Sequence, residues 1–194
     1  MPSAPYHHGE LRPALIAAAL DALDRDGELP SWRALARACS VSHTAPYRHF
    51  QSYEDLQAAL AAECFRRLAK KIDAARARPT APFDKLRAGS AAYIAFGRAH
   101  PAWYRLMFEH VNATDETRAA GAAAYATLVD AIAACGVREP LPIAASVWAA
   151  QHGVVDLLRL KVRAPGLHGD EDALIERVLD STVSQARVAI GKRR

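Results

Sequence analysis

The sequence predicts an all-α protein of about nine helices. Its 194 residues are rich in alanine, and the apolar residues recur at intervals of three and four. No segment shows the alternation of β-branched and polar residues that is typical of strands. A chain of this length suits one or two small domains that share a sizeable core.

The first three predicted helices are short and follow one another closely. An apolar stripe begins at Leu11 and stops before Gly27, a residue type that often follows the last turn of a helix. Ser31 can cap a second helix, and Ser42 can cap a third that runs to about His49. Two short helices joined by a tight turn are typical of a helix-turn-helix.

A longer helix is predicted next, over residues 53–78. Ser52-Tyr53-Glu54-Asp55 has the spacing of a capping box, in which the carboxylate reaches back to the amide of the capping residue. At 1.5 Å per residue the helix would be roughly 35–40 Å long, enough to bridge two domains. The segment Pro79-Thr80-Ala81-Pro82 then marks the clearest boundary in the chain.

The remaining helices are delimited by prolines, glycines and one aspartate. They are predicted over residues 83–99, from Pro101, over 115–135 up to Gly136, from about Pro142 to 162 before Pro165-Gly166, and from the cap Asp170 onward. The chain therefore divides into residues 1–52, a connecting helix at 53–78, and residues 79–194.

Charge is informative by its distribution rather than by its total. Lys and Arg number 25 against 21 acidic residues, and a net charge of +4 supports no conclusion by itself. However, no Asp or Glu occurs between Leu29 and Tyr53. This stretch holds Arg33, Arg37, Arg48, His43 and His49. A locally acid-free basic surface favours the phosphate backbone of nucleic acid through counterion release, the alternative being a chance gap between two acidic helices.

The cysteines and the N-terminus bear on the cellular compartment. Cys39, Cys64 and Cys135 are scattered and lack CxxC spacing, so neither a disulfide framework nor a zinc site is predicted. The first residues lack the basic and apolar regions of a signal peptide, and no uninterrupted apolar stretch reaches membrane-spanning length. The sequence therefore predicts a cytoplasmic protein without a membrane partner.

Residues 42–50 have the properties of a segment that reads DNA. The second helix of a helix-turn-helix enters the major groove, where its first residues meet base edges. Thr44 and Ala45 are small enough to let the backbone approach the bases, while Tyr47 and His49 offer hydrogen bonds to phosphate. Pro46 is tolerated in such a helix only because it falls within the first turn.

These residues resemble a known family. The segments Ser31-Trp32-Arg33-Ala34-Leu35-Ala36, Val41-Ser42-His43-Thr44-Ala45-Pro46-Tyr47-Arg48-His49-Phe50 and Glu54-Asp55-Leu56 resemble the DNA-binding domain of the TetR family of repressors. Tyr6-His7-His8-Gly9-Glu10-Leu11 resembles the entry to that family's first helix. His100-Pro101-Ala102-Trp103-Tyr104-Arg105-Leu106-Met107-Phe108 and Trp148-Ala149-Ala150-Gln151-His152-Gly153 resemble the C-terminal domain of a subgroup named for its Trp-His-Gly signature.

The resemblance covers nearly the whole chain and implies a function. It implies a nine-helix regulator, expected to be a repressor, that dimerises through its last two helices and leaves double-stranded operator DNA when a small, mostly apolar effector binds. Residues 1–52 would bind DNA, and residues 79–194 would bind the ligand and the second copy. The residues expected to contact DNA are Ser31, Arg33, Ser42, His43, Thr44, Ala45, Pro46, Tyr47, His49 and Tyr53.

Two positions depart from the family pattern. Ser40 stands where the turn glycine is usual, so this serine would need a left-handed backbone. Tyr53 stands where a lysine often touches phosphate, so that contact is either lost or made by the phenol. Both departures leave room for a helical interaction module that has kept the scaffold and lost DNA binding.

Trp148 and His152 are four residues apart and share one helix face. They are either a core aromatic beside a buried, satisfied histidine or part of a ligand pocket. The expected pocket residues are Phe96, Tyr104, Met107, Phe108, Trp148 and His152. A cavity walled by aromatic rings with one titratable donor suits a mostly apolar molecule.

The last helix carries an apolar stripe wider than one core contact needs. The stripe is either ordinary core or, with the preceding helix, a four-helix interface with a second copy, where Ala150 and Gly153 permit close approach. The residues expected at this interface are Val154, Leu157, Leu158, Leu174, Ile175, Val178, Leu179 and Val183.

Metal binding and catalysis are the other functions weighed. His7 and His8 are adjacent near a terminus, and no Cys or acidic residue completes a set with His100 and His110, so neither a metal nor another cofactor is predicted. A hydrolase using Cys64 or Cys135 is the enzymatic alternative, but the chain has no Gly-rich loop, G-x-S-x-G, HExxH or P-loop. The prediction is a protein that is not an enzyme.

Overall fold

The computed structural model describes residues 11–109, 114–161 and 170–191, and it is all-α as predicted. These residues form eight α-helices and a single 3-10 turn, with no strand among them. The helices are α1 Leu11–Asp26, α2 Trp32–Ala38, α3 Tyr53–Arg76, α4 Pro82–Ala99, α5 Pro101–Glu109, α6 Asp115–Ala134, α7 Pro140–Arg159 and α8 Glu171–Gly191, and the 3-10 turn is Pro46–Arg48. The predictions that concern residues 6–10, His110 and Pro165-Gly166 lie outside the described residues.

Most of the predicted helix ends are confirmed. The Ser31 Oγ accepts a hydrogen bond from the Ala34 amide at 3.3 Å, and an Asp170 carboxylate oxygen accepts one from the Ala173 amide at 2.8 Å. Gly27, the first residue after α1, and Gly136, the second residue after α6, adopt positive φ values of 75° and 92°. Local signals therefore set these ends.

The capping box before α3 differs in one bond from the predicted pattern. The Asp55 amide donates to the Ser52 Oγ at 3.1 Å, as expected. The Asp55 carboxylate, however, accepts from the amide of Gln51 at 3.0 Å and so reaches one residue farther back than predicted. The same two groups still satisfy donors at the helix start.

The third predicted helix, over residues 42–49, is wrong in type. The structure has a one-turn 3-10 helix instead, preceded by a turn in which the Ser42 carbonyl accepts from the Ala45 amide at 3.0 Å. The cause is Pro46, which has no N–H to donate to the Ser42 carbonyl. The next bond, from the Arg48 amide to the Ala45 carbonyl at 3.1 Å, also has 3-10 spacing.

The chain divides into two compact units. We call Met1–Phe65 with His100–Ala120 the head unit, and Arg66–Ala99 with Gly121–Arg194 the second unit. Residues 100–120 were predicted to belong to the C-terminal part of the chain, but they join the head unit because α5 packs on α1. The Trp103 indole N–H donates to the Leu20 carbonyl at 3.1 Å, and the His100 Nδ1 lies 3.0 Å from an Asp24 carboxylate oxygen.

The head unit has a core of large side chains from α1, α2, α3 and the segment before α3. Its fully buried members include Leu15, Leu20, Leu35, Phe50, Leu56 and Leu60. Full burial of one such side chain stabilises the fold by about 1.5–3 kcal/mol relative to exposure. This core fixes α2 and the 3-10 turn against the longer helices.

The second unit is built on the mutual packing of α4, α7 and α8. Its core cluster consists of Leu86, Ala131, Ile132, Val137, Ala144, Val147 and Ala186. Two arginines of α4 extend the contact to α8 at the surface. Arg87 pairs with Glu176 and Asp180, and Arg98 pairs with Glu171 and Asp172. These pairs are partly exposed, so they orient α8 more than they stabilise it.

Helix α7 is the one described helix that is long and apolar enough to cross a membrane, by length and composition alone. Core helices of other proteins pass the same test. Five of its residues, Ala144, Val147, Gln151, Val154 and Val155, are buried in the second unit. The Gln151 side-chain amide donates to the Ser90 Oγ at 2.8 Å, a buried polar contact between α7 and α4.

Ser40 adopts the left-handed backbone that the sequence analysis required of it, with φ 55°. It ends α2 in a Schellman motif, in which the Ser40 amide donates to the Arg37 carbonyl and the Val41 amide to the Ala36 carbonyl. A serine is strained there, whereas glycine is not.

We therefore expect Ser40→Gly to stabilise the protein by roughly 0.5–1 kcal/mol, since relief of strain exceeds the added freedom of the unfolded chain. Gly136→Ala is the matched control, because an added Cβ meets no atom within 4 Å and only backbone strain at φ 92° is introduced. It should destabilise by about 1 kcal/mol. Urea unfolding followed by tryptophan fluorescence measures both changes, and a loss of stability in Ser40→Gly would contradict the assignment of strain.

Candidate functional site

An aromatic cluster centred on Trp32 holds the helix-turn-helix region of the head unit together. The Trp32 ring centroid lies 5.2 Å from that of Tyr47, 6.4 Å from that of Phe50 and 5.3 Å from that of Tyr53. The guanidinium of Arg12 lies over the Phe50 ring at 5.5 Å. These contacts join α1, α2, the 3-10 turn and the start of α3. We call this set of five residues the Trp32 cluster.

Tyr53 has an internal role in this cluster. Its hydroxyl donates a hydrogen bond to the Pro30 carbonyl at 2.6 Å, and its ring meets Trp32 edge-on. Burial raises the pKa of the Tyr53 phenol, so the proton stays on the oxygen at neutral pH. Because that proton is donated to Pro30, the phenol can only accept from an outside group. It therefore does not replace the phosphate-binding lysine as a donor.

The segment from residue 42 to residue 49 presents most of its polar side chains to solvent. Ser42, His43, Thr44, Tyr47 and Arg48 are exposed, Tyr47 at 55%. Pro46, by contrast, is buried. The Ser42 and Thr44 hydroxyls lie 3.2 Å apart and order the first turn. We call residues 42–49 the reading segment.

The other residues predicted to contact DNA differ in availability. Arg33 is exposed on α2, whereas Ala45 and His49 are half-buried in the reading segment. Ser31 is exposed, but its hydroxyl caps α2. The burial of Pro46 shows that this residue shapes the turn rather than offering a surface. The predicted set thus contains an exposed group and two internal members, Pro46 and Tyr53.

In the second unit, the Trp148 and His152 pair belongs to a chain of polar contacts. The Trp148 indole N–H donates to the Tyr93 hydroxyl oxygen at 3.2 Å, and that hydroxyl lies 3.2 Å from the His152 Nδ1. On its other side, the His152 Nε2 is 3.5 Å from one Asp156 carboxylate oxygen, and the other oxygen of that carboxylate pairs with Arg159 at 3.2 Å. We call this chain the Tyr93 relay.

The contacts of the relay agree with the core interpretation for His152 but not for Trp148. His152 is hydrogen-bonded, as the core interpretation required. Trp148 is 37% exposed, however, and its ring meets Tyr125 edge-on at 6.1 Å, so it is not a core residue. An exposed aromatic ring with a polar relay behind it is available to a ligand.

The pKa of His152 is lowered. Burial is the main cause, Arg159 adds to it, and the Asp156 carboxylate opposes it. A neutral ring with its proton on Nε2 fits the contacts, because Nδ1 can then accept from the Tyr93 hydroxyl while that hydroxyl accepts from Trp148. His152 is thus held neutral at pH 7.

The six residues predicted to bind the ligand fall in the two units, three in each. Phe96 is buried in the second unit, which also holds Trp148 and His152. Tyr104, Met107 and Phe108 belong to the head unit, where Phe108 packs against Tyr104 at 4.8 Å and against Phe65 at 5.5 Å. The latter three contribute to the packing of α5.

Sequence reasoning missed three members of the Tyr93 relay, namely Tyr93, Asp156 and Arg159. Asp156 follows His152 by one helical turn, a spacing that could have identified it. Tyr93 is far from both in the sequence and carried no local signal. Among the described residues, no group of three His, Cys, Asp or Glu side chains that could hold a metal ion comes together. The absence of a metal remains an expectation.

The residues predicted for dimerisation divide into a buried and an accessible set. Val154 and Leu179 are each only 3% exposed in a single chain, so the structure corrects their assignment: they belong to the protomer's own core. The other predicted residues are half-buried. They are Leu157, Leu158, Leu174, Ile175, Val178 and Val183. Near them Leu160 and Val188 are exposed at 61% and 56%, and an added Cβ at Gly153 would meet no atom within 4 Å.

Comparison with known proteins supports a common family. The family model described as the tetracyclin repressor-like C-terminal domain matches residues 86–182. A solved structure of a protein with unknown function from Rhodococcus sp. RHA1 is 29% identical, with a TM-score of 0.77 over 94% of this chain and 98% of that one. No curated protein matches the chain.

Two further solved structures share the fold at lower identity. A TetR family transcription regulator from Marinobacter aquaeolei VT8 is 18% identical, with a TM-score of 0.64 over 91% of this chain and 95% of that one. A TetR-family transcriptional regulator from Streptomyces coelicolor is 18% identical, with a TM-score of 0.66 over 94% of this chain and 97% of that one.

The neutral state of His152 predicts a pH dependence of stability. The unfolded histidine takes up a proton near pH 6.5 and the folded one at lower pH, so the stability due to neutral His152 is complete above about pH 6.5 and is lost as the pH falls below it. We expect the difference in Tm between wild type and His152→Gln to decrease from pH 7.5 to pH 5.5. Thermal unfolding of both proteins measures it, and a constant difference would contradict the burial of this ring.

Proposed function

This chain belongs to the TetR family of transcriptional regulators, and we propose that it represses transcription by binding operator DNA as a homodimer. A small, mostly apolar ligand bound in the second unit would release it. The proposed regulator carries out no catalytic step, and it would act in the cytoplasm, where the DNA lies. The observation that carries it is the exposed polar reading segment, held on the Trp32 cluster within a stretch that lacks acidic residues.

The reading segment supports two kinds of contact with DNA. Tyr47, exposed at 55%, and half-buried His49 would donate to phosphate, which positions the head without reading sequence. Thr44 and Ala45 lie at the first turn, where small side chains allow approach to base edges. Arg33, Arg37 and Arg48 add positive charge on the same acid-free stretch.

A second copy would join along α7 and α8. The accessible apolar side chains of these helices include Leu157, Val178 and Val188, and Leu160 directly follows α7. Gly153 leaves open space for another backbone. A glycine inside a helix costs about 1 kcal/mol relative to alanine. No described residue approaches Gly153 closely enough to explain that cost, whereas close approach of a partner helix would explain it. A symmetric dimer then brings two heads to two half-sites.

Ligand control would act through the second unit. The exposed ring of Trp148, with Tyr125 beside it and the Tyr93 relay behind it, offers an apolar surface with a few directed polar groups. A ligand shifts the protein between two states only by its difference in affinity for them. Helix α3 belongs to both units, since it begins at Tyr53 in the head unit and ends at Arg76 in the second.

One observation favours a second candidate, a helical interaction module that does not bind DNA. The Tyr53 phenol is committed to the Pro30 carbonyl, so a phosphate donor common in the family is missing. Binding to the DNA that flanks the protein's own reading frame distinguishes the two functions. A repressor would bind this fragment with an affinity that falls steeply with salt, whereas the module would not bind it.

Substitutions in the reading segment test the docking of this region on DNA. Tyr47→Phe and His49→Ala should each weaken binding about 2–10-fold on every sequence, because each removes one phosphate hydrogen bond. Thr44→Val should instead change which operator variant binds best, with mismatches costing about 1–3 kcal/mol. Fluorescence anisotropy with labelled promoter fragments measures both. Arg177→Ala on α8, an exposed cation in the second unit, is the control that should leave affinity unchanged.

Unchanged affinity in both Tyr47→Phe and His49→Ala would show that the reading segment does not approach the DNA backbone. A uniform loss in Thr44→Val, with no change in sequence preference, would remove this residue from base recognition.

Charges on the accessible apolar face test the dimer. Leu157→Arg and Val188→Arg should each give monomers, because a single arginine placed in such an interface loses its hydration, and promoter affinity should fall at least about 100-fold. Leu141→Arg is the matched control: this leucine is 61% exposed and lies roughly 160° around α7 from Leu157. Sedimentation velocity measures the state of assembly. Dimers in both variants would exclude this face, and a monomeric control would make the effect unspecific.

A further inference from the structure

Arg76 ends α3 with a charged side chain that is mostly withdrawn from solvent, at 20% exposure. Its Nη1 atom donates to the Thr127 carbonyl of α6 at 2.8 Å and lies 3.8 Å from an Asp73 carboxylate oxygen. Its Nε is buried and has no hydrogen-bond partner in the part of the chain that the structure describes. All these groups belong to the second unit.

The charge of Arg76 is matched only in part within the protein. A guanidinium stays protonated in proteins, and a buried N–H donor or charge without a partner is unfavourable. The Asp73 carboxylate is 65% exposed and approaches the Nη1 atom, which already donates to the Thr127 carbonyl. The Nε side of the guanidinium therefore lacks both an acceptor and a counter-charge.

The neighbouring helix accommodates this side chain. Gly89 of α4 is buried, and a Cβ added there would lie 3.2 Å from both the Cγ and the Cδ of Arg76. Any larger residue would press on the arginine stem and on Ile72, whose side chain would lie 3.4 Å from that Cβ. Glycine at this position leaves room for the stem of Arg76.

We propose that the ligand of the second unit is an apolar molecule with a carboxylate, which pairs with the Nε side of Arg76. This inference rests on the proposed function and names its ligand class. A planar carboxylate can accept two parallel hydrogen bonds from adjacent N–H groups of a guanidinium, and it also supplies the missing counter-charge. A neutral ligand would leave the charge unmatched. The apolar part of the molecule is taken over from the proposed function.

The position of Arg76 links this pairing to regulation. Because Nε is buried, a carboxylate reaches it only when the last turn of α3 moves relative to Thr127. The ligand therefore binds the displaced arrangement better than the arrangement described here, which is the difference in affinity that release requires. The displaced residues belong to the helix that begins at Tyr53.

The test uses the full chain with defined probes: decanoate and benzoate, against the neutral 1-decanol and benzyl alcohol. The first readout is Tm, and the second is the Nε–H signal of Arg76 in a proton–nitrogen NMR spectrum, assigned through its own side-chain carbons. We expect at least one carboxylate to raise Tm by several degrees and to move the Arg76 signal, with little effect of its alcohol. Arg76→Gln and Arg76→Lys should lose the Tm shift, and Arg78→Gln, an exposed neighbour, should keep it.

Three results would overturn the inference. They are an equal effect of acid and alcohol, a carboxylate shift that survives in folded Arg76→Gln, and an Arg76 signal that no carboxylate moves. The proposed function is tested separately by promoter binding without any probe. If the fragment binds and only neutral alcohols release it, the ligand class is wrong and the function stands. If carboxylates bind through Arg76 but the fragment never binds, the ligand class stands and the function is wrong.

Discussion

Packing around Trp32 is the interaction on which the shape of the reading segment depends. A 3-10 turn of three residues is too short to be stable by its own hydrogen bonds. Its conformation is set instead by contacts of Trp32 with Tyr47, Phe50 and Tyr53, and by the bond from Tyr53 to the Pro30 carbonyl. The cluster buries one side of the segment, so the polar side chains of the other side point to solvent. The conformation of this region therefore follows from packing rather than from helix propensity.

The ends of the helices could be predicted because the signals are local. Ser31, Gly136 and Asp170 act within a few residues of the helix ends that they mark. The prediction failed over residues 42–49, where spacing indicated a helix but the missing N–H of Pro46 imposed 3-10 bonding. It also could not assign residues 100–120 to the head unit, since the bond from Trp103 to the Leu20 carbonyl joins residues distant in sequence.

The candidate site shows the same division. The spacing of Trp148 and His152 predicted that both lie on one face of α7, but Tyr93, which joins their side chains, is 55 and 59 residues away from them. Arg76 gave no signal because its acceptor, Thr127, is 51 residues away. Periodicity alone also could not separate neighbouring stripes on one helix, and for that reason Val154 and Leu179 were assigned to a dimer face although they fill the protomer's core.

Hydroxyl-radical footprinting on the DNA that flanks the protein's own reading frame tests the central claim most directly, namely that two copies of the reading segment dock in successive major grooves. The account predicts two protected stretches on one face of the duplex, with centres about one helical turn, roughly 34 Å, or a whole number of turns apart. Protection should disappear as salt is raised. A single protected stretch, or none at low salt on any fragment of this DNA, would contradict the account.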